Sequence, residues 1–235
     1  MINSDGTPDI FNKHEKKCTI NLYAKYNTQD EPFGALMIGG VFQGSNDIHF
    51  NKSDTLYIIK EAPVRLNTVV KVQTSRKYQY VRYYGPQNSY CNIAEAVFFG
   101  KSASIPLKGK IIGTPGCKEN DGSHEYTNVF DGKSWTSFNY KNSSGGWAGL
   151  DLEEPKQITH ISYTPRNRDN YIRPGDVYEL LYCDKNWISA GLQTATSDSL
   201  TYNNITSKYI TYPKNHTRGQ QIRPFVYKEG KQIWL

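Results

Sequence analysis

Cysteine is scarce in this chain, four residues in 235, and Cys18, Cys91, Cys117 and Cys183 lie far apart, with no CxxC pair and no histidine at ligand spacing. That excludes a zinc ribbon or a dithiol redox motif. It leaves free thiols, or one disulfide whose partners the sequence does not choose. Long apolar runs are also lacking, the longest being short stretches such as Ala96–Phe99. A transmembrane helix needs about 18 consecutive apolar residues, so none is present and no membrane insertion is expected. The opening Met-Ile-Asn-Ser-Asp-Gly has neither the basic nor the apolar region of a secretory signal. The chain can equally be a fragment of something longer.

Charge of one sign is not concentrated anywhere. The 28 Lys and Arg against 22 Asp and Glu give +6, a mildly basic balance with no tail. Nucleic-acid binding calls for a basic stripe. The nearest segment is Ser75–Tyr84, whose alternation places Tyr78, Tyr80 and Tyr84 on one strand face and Lys77, Val81 and Tyr83 on the other. A strand with a solvated edge accounts for it, and no nucleic-acid partner is expected.

Helical periodicity is the last absence: 11 Pro and 19 Gly punctuate the chain, and β-branched and aromatic residues dominate its apolar set. Aromatics, by contrast, are plentiful at 13%, far above a disordered composition. The pattern predicts an all-β fold. Strands are expected at 35–38, 41–44, 55–59, 68–73, 78–84 and 94–99, then at 110–113, 146–152, 157–164, 177–182, 188–192, 209–212 and 224–227. Short strands between turn signals favour sandwiches over parallel sheets. The small, polar, proline-bearing stretch Gly100–Gly109 reads as a linker. It divides the chain into a partial sandwich at 1–102 and a second sandwich at 106–235. A weak internal repeat agrees, aligning Val41–Asp47 and Phe50 with Tyr178–Asp184 and Trp187 at one constant offset.

Three blocks of the second half carry a likeness. Val129-Phe-Asp-Gly-Lys-Ser-Trp-Thr-Ser-Phe138, Trp147-Ala-Gly-Leu-Asp-Leu152 and Tyr178–Trp187 resemble the Asp-Gly loop, the Trp strand and the Asp-x-x-Trp turn of the discoidin, or coagulation factor type C, superfamily. The sugar-binding branch of that superfamily is carbohydrate-binding module family thirty-two. In the first half only closing blocks of the family occur, at 42–47, 80–84 and 93–98. The resemblance implies a galactose-binding-like jelly roll over 106–235 and a non-catalytic glycan-binding function, with a glycan or polysaccharide as ligand. It further implies an accessory position in a large bacterial surface protein, downstream of another domain on a longer chain, and hence an extracellular or cell-surface location. The competing class is a protein-interaction or architectural module docking on that upstream domain.

Sugar recognition needs a flat ring and fixed hydrogen-bond donors. The loop Pro165–Arg173 offers guanidinium groups, amides and a ring. By resemblance Arg166, Asn167 and Asn170 are the polar candidates, and Trp135, Phe138 and Tyr171 the candidate platforms. The competing reading ties Arg166 and Arg173 to Asp169, Asp176 or Glu179 and buries Trp135 under its own loop. The resemblance also raises a structural calcium ion at Asp131 and Thr136. Lys133, and by the internal alignment Arg223, stand where further oxygens are needed, while Glu95 falls in the half without the Asp-Gly loop; no other cofactor is implied. An enzyme is not expected: Cys91 or Cys183 could be drawn with His124 or His216, but nothing flanking them resembles an activating turn.

Overall fold

A computed structural model describes residues 17–23, 32–101, 105–167, 172–197, 199–206, 210–218, 220–221, 224–228 and 231–235. Strand β1 (Lys17–Tyr23) is followed by β2 (Val41–Ser45), β3 (Ser53–Ile58), β4 (Thr68–Lys71), β5 (Lys77–Tyr84) and β6 (Ile93–Phe99). Then come β7 (Lys110–Gly113), β8 (Trp147–Gln157), β9 (His160–Pro165), β10 (Val177–Asp184) and β11 (Asn186–Thr194). The last are β12 (Ser199–Thr206), β13 (Ile210–Asn215), β14 (Gln220–Gln221), β15 (Phe225–Lys228) and β16 (Lys231–Trp234). Only two short 3-10 turns, Pro32–Met37 and Tyr126–Phe130, interrupt the β structure among the described residues. The all-β expectation holds.

The division at 102–106 does not. One compact unit is Tyr26–Arg168, and the other joins Met1–Lys25 to Asp169–Leu235, so the first is inserted into the second. Within Tyr26–Arg168 a five-stranded antiparallel sheet runs β3-β2-β5-β8-β7 and a three-stranded one β4-β9-β6. β8 pairs with β5 and β9 lies between β4 and β6, so the segments on either side of Gly100–Gly109 interleave in both sheets. The described residues on both sides of 102–104 are tied into the sandwich: Phe99 bridges Pro106, and the Leu107 N–H donates to the Phe98 carbonyl. Small polar residues with a proline mark a turn as readily as a linker. The closing blocks at 42–98 and the opening blocks at 129–152 therefore belong to one unit.

The two sheets meet over a single core. Phe42 of the first sheet packs on Phe98 and Tyr163 of the second, ring centroids 6.0 and 5.4 Å apart, and on Tyr83 at 5.0 Å. Burying each such ring contributes about 2–3 kcal/mol. β5 corrects the expected faces. Tyr78 is buried with Val81 and Tyr83, because the β5–β8 register shifts between Tyr78 and Tyr80 and breaks the alternation. Tyr80, Arg82 and Tyr84 are left on the outer face. The Asn46 side chain bridges the irregular stretch, its amide donating to the Lys77 carbonyl and its oxygen accepting the Gln79 N–H. The strand expected at 35–38 is instead part of the first 3-10 turn, which ends where Gly39 adopts φ +88° and directs the chain into β2.

In the split unit β1 pairs antiparallel with β12, and a second sheet runs β11-β10-β13-β15-β16, with β14 on β13. Its core gathers Tyr178, Leu180, Leu200, Tyr202, Ile205 and Phe225. Buried Asp176 accepts from Arg218 at 2.5 Å and from Asn215 at 2.9 Å; burial works to raise this carboxyl, but those two donors hold it below the usual range. The internal repeat has a counterpart in topology, since the order β3-β2-β5 matches β11-β10-β13. The aligned aromatics differ, Phe50 being tucked into a loop and Trp187 lying exposed on β11.

A direct consequence concerns fragments. Residues 26–168 expressed alone should give a cooperative melt and a near-ultraviolet circular dichroism signal. Residues 106–235, which lose β5 from beside β8 and β4 and β6 from around β9, should give neither. A cooperative melt from the second fragment would contradict the interleaved sheets.

Candidate functional site

The loops at one end of the Tyr26–Arg168 sandwich collect most of the residues singled out by sequence. β6 begins there, β9 ends there, and the segments 85–92 and 114–146 cross it. The backbone is under load. Asn88, Tyr90 and Cys91 all adopt φ between +55° and +64°, a region that costs side-chain-bearing residues about 1 kcal/mol or more each. Hydrogen bonds hold it: Tyr90 N–H donates to the Ser143 carbonyl, and the Tyr90 carbonyl accepts from Tyr140 at 2.7 Å. Gly85 is required opposite, because a Cβ there would lie 2.8 Å from the Cys91 Cα.

Arg166 emerges from β9 into this end. Its Nη1 donates to Asn92 Oδ1 at 3.3 Å, its Nη2 lies 3.6 Å from Glu119 Oε1, and its guanidinium sits 5.0 Å from the Phe33 ring centroid. Asn139 donates to the same Glu119 oxygen at 2.7 Å. Burial works to raise the Glu119 carboxyl, yet the Asn139 amide and the positive charge of His124 and Arg166 outweigh it and hold the group below the usual range. Next along the loop, Lys118 Nζ lies 3.9 Å from the half-buried Tyr90 ring, a cation–π contact. Rings and polar groups thus converge.

The remaining sequence candidates divide. Asn167 braces the Asp-Gly loop, its amide donating to the Ser134 and Pro165 carbonyls, beside half-buried Trp135. Phe138 is no platform. It is wholly buried, against Tyr140 at 5.8 Å and Tyr126 at 6.5 Å, because its N–H donates to the Ile93 carbonyl and draws the strand-like segment 137–139 into the core. Asn170 and Tyr171 lie outside the described residues, as do Asp169 and Arg223. Asp176 pairs with Arg218 and Glu179 with His216, and among the described residues the acid facing Arg166 is Glu119. Sequence reasoning passed over Tyr90, Asn92, Lys118, Glu119 and Asn139. The polar turn 85–92 between two strong strands was the available signal.

The Asp-Gly loop forms a clasp. Thr136 Oγ1 lies 3.0 and 2.9 Å from the two Asp131 carboxylate oxygens and 2.8 Å from the Lys133 carbonyl. The Lys133 N–H is shared between Asp131 Oδ1 at 2.8 Å and Glu95 Oε1 at 2.9 Å. Glu95 therefore belongs to this loop after all, brought in by β6. Its carboxyl is pushed up to about 8, first by burial and then by the hydrogen bond and charge of Asp131. The arrangement does not fit the calcium ion implied for Asp131 and Thr136. The Asp131 and Glu95 oxygens are turned to N–H and O–H donors, and two carboxyls with one hydroxyl fall short of the six to eight oxygens that calcium takes. Cys91 is buried too, which pushes its thiol far up and keeps it protonated. Comparison of the chain with family models, with characterised proteins and with solved structures gives no match.

Proposed function

We propose that the Tyr26–Arg168 sandwich is a non-catalytic glycan-binding module of the discoidin kind, its family blocks set along the chain in rearranged order. The observation that carries the reading is the convergence of Arg166, Asn92, Glu119 and the Lys118–Tyr90 pair at one sandwich end, on a backbone strained into place. A half-buried ring beside fixed donors and acceptors is the chemistry a sugar needs, one face for its C–H surface and directed partners for its hydroxyls. Tyr90 takes the role assigned by sequence to Phe138. Sites of this form bind in the micromolar to millimolar range, on the order of −4 to −8 kcal/mol, and gain strength through multivalent display. Such display suits an accessory module of a cell-surface protein.

The test is a glycan array probed with the full chain, wild type, Arg166→Ala and Tyr90→Ala. Selective binding that falls at least tenfold in both variants is expected, with melting temperatures showing that each variant remains folded. Silence of the folded wild-type chain would remove the proposal. A second reading has one observation of its own. β11, at the edge of its sheet, exposes Trp187, Ile188 and Leu192, a surface suited to docking on another protein domain. Pull-down by an upstream domain of a longer chain, abolished by Leu192→Lys, would favour it.

A further inference from the structure

The outer face of the five-stranded sheet carries a second feature, apart from the loop end. β5 turns Tyr80, Arg82 and Tyr84 outward while Val81 and Tyr83 fill the core. The Arg82 guanidinium lies 4.0 Å from the Phe50 ring centroid, 5.0 Å from Tyr84 and 5.3 Å from Trp147. Phe50 is placed there at φ +55°, and its loop is over-determined. The Phe50 N–H donates to the Asp47 carbonyl, and the Asp47 carboxylate accepts from the N–H groups of His49 and Asn51 and from the Asn51 side chain. Strain held this firmly indicates that the position of the ring matters.

The cation in this ring cluster is incompletely satisfied. Arg82 Nε donates to Gln43 Oε1 at 2.9 Å, but neither terminal nitrogen donates to an acceptor, and no carboxylate pairs with it among the described residues. Burial alone lowers its basicity. A half-buried charge without a counter-charge is a cost that an incoming anion would remove. Gly149, opposite Arg82 on β8, can carry no side chain, since a Cβ would lie 2.3 Å from the Val81 carbonyl oxygen, so β8 puts no side chain next to Arg82 at this position. Further along, Gln79 donates to Tyr80 Oη and to Asp151 Oδ1, each at 3.1 Å, fixing a row of polar groups.

We infer that this face binds a carboxylate-bearing saccharide, of the uronic acid class, with the carboxylate on the terminal nitrogens of Arg82 and the sugar ring against Tyr84 and Trp147. A peptide strand is disfavoured because β5 lies between β2 and β8 and its backbone groups are used in the ladders. Recognition must come from side chains, and rings interleaved with planar hydrogen-bonding groups suit a sugar. The residues of this face belong to the five-stranded sheet and its β2–β3 loop, whereas Arg166 follows β9 of the three-stranded sheet.

The experiment is a tryptophan-fluorescence titration of the full chain with oligogalacturonate, oligoguluronate and hyaluronan oligosaccharides in 150 mM salt. Methyl-esterified oligogalacturonate and polyglutamate serve as controls. Saturable quenching by at least one uronate is expected, weakened at least tenfold by its neutral ester and by Arg82→Gln, and unchanged by Arg166→Ala. If Arg82→Gln does not fold, Arg82→Lys, which keeps the charge and loses the fork, should weaken binding severalfold. Equal binding of ester and acid, equal binding of polyglutamate, no saturable response, or indifference to a folded Arg82 variant each overturn the inference. Loss with Arg166→Ala alone would place the uronate at the loop end instead.

Discussion

Phe138→Ala is expected to destabilise the Tyr26–Arg168 unit by about 3–5 kcal/mol, the cost of emptying a fully buried aromatic site. The reasoning is local. Phe138 has no exposed surface, touches Tyr126 and Tyr140, and its N–H closes a bridge to Ile93 at the start of β6. Removing the ring opens a cavity beneath the loop that carries Trp135, and the neighbouring rings cannot collapse into it because both are held by their own segments. Urea denaturation followed by circular dichroism would show the midpoint falling with the slope unchanged. A surface ligand platform behaves otherwise: its truncation changes stability by about 0.5 kcal/mol or less. A midpoint unmoved by Phe138→Ala, with glycan binding lost, would restore the residue to the site and overturn the packing described here.

Phe138 also shows where reading the sequence stops. Its neighbours Ser137 and Asn139 are polar, so the segment looks like an exposed loop. The structure buries all three by giving the polar ones partners: Asn128 donates to the Ser137 carbonyl, His124 pairs with the Ser137 hydroxyl, and Asn139 donates to Glu119. Strands with strong alternation were legible, and β2, β6, β7 and β10 fall within a residue or two of expectation. β1 and β12 were not, although Cys18, Ile20 and Leu22 alternate, because the pairing partner of β1 lies some 180 residues away. One sequence records periodicity and turns, but no distant pairing. The same blindness placed the boundary at Gly100–Gly109, where a turn and a linker have the same composition. It also assigned Glu95 to a unit without the Asp-Gly loop, when β6 delivers it to that loop. Arg166 and Asn167 were identified by resemblance and do lie at the sandwich end. Their partners Glu119 and Asn92 needed the fold.

The clasp of Glu95 and Asp131 has the second large consequence, on pH. With the Glu95 carboxyl pushed up to about 8 from its ordinary 4.5, the folded unit keeps a proton that the unfolded chain has released throughout that interval. Stability contributed by the pair is therefore complete below about pH 4.5, declines as pH rises and is lost once pH passes about 8. Integrated over the interval the loss is at most about 5 kcal/mol. Carboxylates held below their usual range, such as Asp54, Asp176 and Glu119, act in the opposite sense. Their contribution disappears only as pH falls through the acid range, so the two effects separate in a pH series. Glu95→Gln copies the protonated carboxyl: its oxygen can accept the Lys133 N–H and its amide can donate to Asp131. The variant is expected to match wild type at pH 5 and to exceed it at pH 8.5, as read from urea midpoints at each pH. Calcium provides the counter-test. An ion seated between these carboxyls would hold Glu95 ionised and raise the wild-type midpoint most at alkaline pH, an effect Glu95→Gln would lose. Midpoints indifferent to calcium and chelator, with the pH slope removed by Glu95→Gln, are the result that a proton-sharing clasp requires.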